Sequence, residues 1–190
     1  MRALKLAALL VPLLAAGGAR ANEVSIETQR RASALEVVCR ALLEAPAELV
    51  WQTLTDYDHL ADFIPGMQRS RVIARSGRVA TVEQLGTARF LFVSLPIEVT
   101  LATTEFPPRA IEAKMTKGNL RRLEGTYRIE PRADGRVLVS WQGLIEAEAL
   151  PPLIGELLMR SAIADQFRGM VLEIERRDAL RRARAPQARP

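Results

Sequence analysis

The chain of 190 residues contains one cysteine, Cys39, and one histidine, His59. A lone cysteine excludes an intramolecular disulfide, a CxxC redox pair and a thiolate zinc site. A lone histidine excludes a histidine-rich metal site, so neither a metal nor a cofactor is expected. Long apolar runs are also scarce. The run near the N-terminus is too short to span a bilayer as a helix, which needs about 20 residues, and no later run is longer. No internal repeat is found.

The N-terminus carries a different pattern. Arg2 and Lys5 form a basic start, Leu6 to Ala16 an apolar stretch, and Ala19-Arg20-Ala21 a small-x-small cleavage site before Asn22. Residues 1–21 therefore read as a signal peptide, and the mature protein is expected to be exported, periplasmic or secreted. Without Arg2, Lys5 and Arg20 the formal charge falls from +5 to +2. So modest an excess does not call for nucleic acid.

The remaining chain divides into a polar lead-in (22–34), a single domain (35–181) and a basic tail (182–190). Leu35 to Glu44 reads as a first strand, with Val37, Cys39, Ala41 and Leu43 on one face. Pro46 suits the first position of a short helix that runs to Leu54, and Thr55-Asp56-Tyr57-Asp58 reads as a break and fresh cap for a second short helix, His59 to Phe63. Strands follow, separated by turn signals at Ser76-Gly77 and Asp134-Gly135. Gly86 is read as a break before a long strand, Arg89 to Thr104, with a bend near Pro96.

The clearest periodicity lies from Pro151 to about Leu180. Leu153, Leu157, Arg160, Ala164, Phe167, Val171 and Ile174 step by fours and threes, which sets them on one side of an α-helix. Gly169 and Glu173 fall on the opposite side. Only this helix has the length to cover the apolar face of the strands, so an α+β architecture follows, a curved antiparallel sheet of about seven strands around a long C-terminal helix. Such a closure leaves an apolar cavity between helix and sheet, a usual place for small ligands.

This order, with Glu44-Ala45-Pro46, Val50-Trp51, Leu54-Thr55-Asp56-Tyr57, Phe63-Ile64-Pro65-Gly66 and Leu123-Glu124-Gly125-Thr126-Tyr127, resembles the START-like helix-grip superfamily. It is most similar to the polyketide cyclase/dehydrase and lipid-transport branch, to which coenzyme Q-binding proteins belong. The resemblance covers about Leu35 to Leu180. It implies a cavity for a lipid, quinone or polyketide without fixing an activity, because members include carriers, cyclases and regulators.

The cavity is expected to be lined by Phe92, Ile111, Ala113, Met115, Leu123, Tyr127, Val139 and Trp141 from the sheet, and by Leu157, Arg160, Ala164, Phe167 and Val171 from the helix. Arg160 interrupts the apolar stripe. Either its stem packs while the guanidinium reaches the rim or pairs with Glu98, Glu112 or Glu124, or it meets the acidic headgroup of a ligand. His59 reads as a surface or capping residue and Cys39 as inert packing, although a nucleophilic pair of the two is conceivable. Lys114, Lys117, Arg121 and Arg122 either keep a sheet edge soluble or hold the cavity mouth near an anionic membrane surface. The partner expected is a hydrophobic small molecule or lipid, carried without chemistry. A cyclase or dehydratase acting in the same cavity is the alternative, with an inward carboxylate or Tyr127 as acid or base. A partner-binding domain would instead show a filled core and an exposed apolar patch.

Overall fold

The computed structural model describes residues 24–147 and 152–184; the segment read as a signal peptide, Pro151, the side chain of Leu153 and the last six residues of the tail lie outside the described residues. Eight strands form one antiparallel sheet in the order β1-β2-β8-β7-β6-β5-β4-β3. They are β1 Val24–Arg31, β2 Ala34–Leu43, β3 Met67–Ser76, β4 Val79–Phe90, β5 Val93–Phe106, β6 Ala110–Gly118, β7 Arg122–Pro131 and β8 Val137–Glu146. Between β2 and β3 come the helix α1, Ala47–Leu54, and a 3-10 helix, Tyr57–Asp62; the chain closes with α2, Pro152–Arg184. This is the helix-grip arrangement, with one strand more than the seven expected.

The extra strand is β1. Val24, Ile26 and Thr28 are half-buried while Ser25, Glu27 and Gln29 are exposed, and the strand pairs along its whole length with β2. Its polarity suits an edge strand, wet on one side, and the segment read as a lead-in is thereby part of the sheet.

Gly86 does not break the chain. It sits inside β4, opposite Met67, where a Cβ would lie 2.8 Å from the Gly66 carbonyl oxygen. A glycine is required there by the close approach of another backbone. The turn comes at Leu91-Phe92, and Pro96 pairs in register with Thr87; the irregularity in this long strand lies further on, in the pairing of Thr100 and Leu101 with β6. Leu91 has φ 54°, a left-handed conformation that costs a branched residue energy.

The core lies between the inner face of the sheet and α2. Val37, Cys39, Ala41 and Leu43 of β2 are all fully buried or nearly so, as the alternation predicts. On α2 the buried set from Ala164 onward (Ala164, Phe167, Val171, Ile174) follows the predicted stripe. Nearer its start it does not: Leu158 and Met159 are buried, whereas Leu157 and Arg160 are exposed. Gly169 is buried, not solvent-facing, because the helix passes under the loop after the 3-10 helix; a Cβ on it would lie 2.5 Å from Pro65 Cδ and 2.8 Å from the Phe63 carbonyl oxygen.

The 3-10 helix is pinned to α2 by charge. Pro46 caps α1 with extended geometry, and its carbonyl accepts the Val50 N–H at 3.1 Å. Asp56 makes no side-chain cap; its carboxylate accepts from His59 Nδ1 at 2.6 Å and from Arg177 Nη2 at 2.8 Å. Arg177 also donates to Glu173 at 2.7 Å, as does Arg176, and Arg177 lies over the Phe63 ring at 5.4 Å. Burial pushes the Asp56 carboxyl up, but the hydrogen bonds from His59 and Arg177 outweigh it and hold the group below its ordinary value.

Candidate ligand cavity

A cavity of about 190 Å³ lies between α2 and the sheet. An apolar void of about 150 Å³ stays dry and admits benzene, so this one has room for a molecule of at least that size. Its floor is the inner face of β4 to β8, with Ile97 and Leu101 from β5, Ile111 and Ala113 from β6, Leu123 and Tyr127 from β7, and Trp141 and Ile145 from β8. Its roof is α2, through Met159, Ala162, Ile163, Gln166, Phe167 and Met170, a run of threes and fours. Leu54, Tyr57, Leu60 and Ile64 from α1, the 3-10 helix and the loop after it complete the wall.

Trp141 is laid flat by two absent side chains. Gly125 and Gly143 face each other across β7 and β8, and a Cβ on Gly125 would lie 2.8 Å from the indole Cε2, one on Gly143 2.5 Å from Cζ2. The ring therefore rests on bare backbone and leaves the space above it open. Tyr127, directly opposite Trp141, tilts against it with ring centres 6.4 Å apart.

Of the thirteen residues read as lining, six border this cavity: Ile111, Ala113, Leu123, Tyr127, Trp141 and Phe167. Val139, Ala164 and Val171 are buried in the packed core beside it, and Met115 packs partly buried against that core. Phe92 is 93% exposed because it sits at the hairpin turn, and Leu157 is 40% exposed. Arg160 is exposed on α2 and does not border this cavity; among the described residues it pairs with none of Glu98, Glu112 or Glu124. The register of the first two turns of α2 explains both helical departures, since Leu157, Leu158 and Met159 form an apolar triplet that periodicity cannot phase.

The polar groups on the wall are few. Gln84 donates to Ser70 Oγ at 3.4 Å and the Thr103 hydroxyl to the Ala80 carbonyl at 2.8 Å. Glu124 alternates with the inward Leu123 and Gly125, and its carboxylate accepts from Arg122 at 2.5 Å. Among the described residues the carboxyls whose proton affinity is displaced, Glu36, Asp56, Asp134 and Glu173, are all displaced downwards, and none borders the cavity. Cys39 is wholly buried, and burial pushes its thiol up to about 12, while His59 is exposed and bound to Asp56; they form no nucleophilic pair. Among the described residues no acidic, histidine or cysteine cluster could hold a metal ion, and no helix is long and apolar enough to cross a membrane. A larger recess, about 510 Å³, lies on the outer face of the sheet, but Glu36, Glu112, Lys114 and Gln142 border it and it suits water better than hydrocarbon.

A grip of sheet on helix around an apolar void defines a START-like fold. The match of the polyketide cyclase/dehydrase and lipid transport family over residues 35–177 places the chain in that family. Solved structures agree on the fold. The Zhui aromatase/cyclase from Streptomyces sp. R1128 is 18% identical with a TM-score of 0.64, covering 81% of this chain and 98% of its own. A START superfamily protein from Mycobacterium smegmatis is 15% identical with a TM-score of 0.63, covering 74% and 97%. A STAR-related lipid transfer protein from Xanthomonas axonopodis is 12% identical with a TM-score of 0.60, covering 80% and 98%. No curated protein sequence matches significantly.

Proposed function

We propose that the protein is an exported carrier that holds a hydrophobic molecule, lipid, quinone or isoprenoid-like, in the cavity between α2 and the sheet, without chemistry. The observation that carries this reading is the void itself, kept open by Gly125 and Gly143 beneath Trp141 and walled mainly by apolar side chains. Export rests on the N-terminal pattern around Ala21-Asn22. A brief contact with an anionic membrane surface would load the carrier. Leu91 and Phe92, 82% and 93% exposed at the β4–β5 turn, offer an apolar tip, with Arg89 exposed beside them.

Gentle purification, native mass spectrometry and solvent extraction test the carrier reading. A bound lipid or quinone is expected, with Asn22 as the first residue of the exported form. An apo protein that takes up no lipid or quinone probe would count against it. The second reading, a cyclase, draws on the aromatase/cyclase of similar fold and on Tyr127 facing the cavity. Turnover of a poly-β-ketone probe, abolished by Tyr127→Phe, would favour it.

A further inference from the structure

The cavity is short for a lipid. An apolar void of about 150 Å³ takes benzene, so the cavity of about 190 Å³ has room for roughly eight carbon atoms. A longer chain must run out past the wall, and one side of that wall continues as apolar surface. Ala88 of β4 and Ile97 of β5 border the cavity. Beyond them the same face of the hairpin carries the cross-strand pairs Ala88–Leu95 and Phe90–Val93, and the hairpin ends on Leu91 and Phe92. Along β5 burial grades with distance from the core. Val99 and Leu101 are buried, Val93, Leu95 and Ile97 are half-buried, and Leu91 and Phe92 at the tip are 82% and 93% exposed. The alternate residues Ser94, Pro96 and Glu98 are exposed on the outer face, so the apolar run is one-sided. From Ile97 to Val93 it extends about 14 Å at the rise of an antiparallel strand. A hairpin that merely projected past the core would be as polar on this face as on the other. Phe90, Val93 and Leu95 pack only in part against the core, which leaves apolar area for a guest.

We propose, resting on the carrier reading and narrowing its cargo, that the ligand is an extended hydrocarbon chain longer than about eight carbons. Its leading end fills the cavity, and the remainder lies along the inner face of the β4–β5 hairpin, against Leu95, Phe90 and Val93. A compact ring system would fill the cavity and leave this track unused. The track also joins the apolar tip to the interior. A chain that leaves a membrane at Leu91 and Phe92 reaches the cavity along apolar side chains and avoids water, where each bare methylene costs about fourfold in the equilibrium.

Titration of the purified, delipidated protein with straight-chain alcohols from hexanol to dodecanol, followed by amide NMR shifts, tests the track. Affinity should rise about fourfold per carbon while the cavity fills, as full burial of a methylene gives, and about twofold per carbon beyond octanol, where the chain is half-covered. The amides of Phe90 to Leu95 should move only with decanol and dodecanol. Leu95→Ser should weaken dodecanol about fourfold and leave hexanol unchanged. Val93→Thr, close to the native shape, should weaken dodecanol about twofold, and it carries the test if the first variant does not fold. An affinity that levels off at octanol, or folded variants that treat hexanol and dodecanol alike, would overturn the track while the carrier reading stands. If no alcohol binds the folded protein, both fall.

Discussion

Replacing Gly125 with alanine should lift the Trp141 indole into the cavity. The added methyl would lie 2.8 Å from Cε2 and Cζ2, where ordinary contact begins at 3.4 Å, so the ring must give way by the difference, about 0.6 Å. Its only free direction is upward, into the void. Gly143→Ala is a blunter test, because its methyl also meets the Glu124 carbonyl oxygen at 2.5 Å and would force β7 and β8 apart. Overpacking of this kind costs about 1–3 kcal/mol, and the open space above the ring argues for the lower end. A ligand that fills the cavity would lose roughly one methylene of room, about 0.8 kcal/mol, or about fourfold in affinity. A Trp51→Phe background leaves Trp141 as the only tryptophan, so urea unfolding and the emission maximum then report on this ring alone. An unchanged emission maximum, midpoint and probe affinity in Gly125→Ala would refute the claim that bare backbone holds the cavity open.

Gly169→Ala should destabilise the protein although alanine is the better helix former by about 1 kcal/mol, since its methyl meets Pro65 and the Phe63 carbonyl; a raised melting temperature would refute this. Stability should fall in acid. Hydrogen bonds from Arg176 and Arg177 hold Glu173 below its usual value against the effect of burial, and Asp56 is likewise lowered, so their contribution is present above the unfolded values of 4.5 and 3.8 and lost as pH falls through the folded ones. Urea titrations between pH 6 and 3 read this, and Glu173→Gln should flatten the curve and cost about 1–3 kcal/mol near neutrality. His59 acts in the opposite sense: Asp56 raises it, so its share is present below 6.5 and is lost as pH rises through its folded value, readable from the NMR titration of its ring. Leu91→Ser with Phe92→Ser should leave the unfolding midpoint unchanged and weaken co-sedimentation with anionic vesicles; vesicle binding at the wild-type level would remove the tip as a contact.

Local chemistry made some elements readable and hid others. The bounds of α1 and the turns near Ser76-Gly77 and Asp134-Gly135 follow, to within a residue, from proline, glycine and aspartate, residues whose backbone preferences are strong; the first turn is Gly77-Arg78, with Ser76 still paired to Val79, and Pro46 is the N-cap rather than the first helical residue. The turn at Leu91-Phe92 has none of these, and the nearby Gly86 draws attention to the wrong place, because glycine serves close packing as well as turning. β1 was visible as the alternation of Val24, Ile26 and Thr28, but polar neighbours make an edge strand resemble a loop. On the cavity wall the strand residues with clear alternation were legible. Tyr57, Leu60 and Ile64 were not, because short helices give too few residues for a period to declare a face. The start of α2 was mis-phased for another reason, the unbroken apolar triplet Leu157-Leu158-Met159, which set Arg160 on the wrong side.

The depth of Cys39 has a practical corollary. With its thiol sealed in β2 and reluctant to ionise, the native chain behaves toward maleimides and disulfide reagents as though it carried no sulfhydryl at all. Any cysteine introduced at the hairpin tip or beside the cavity becomes the sole reactive handle. Spin labels and fluorophores can therefore be set at one chosen spot without first stripping the protein of its own sulfur.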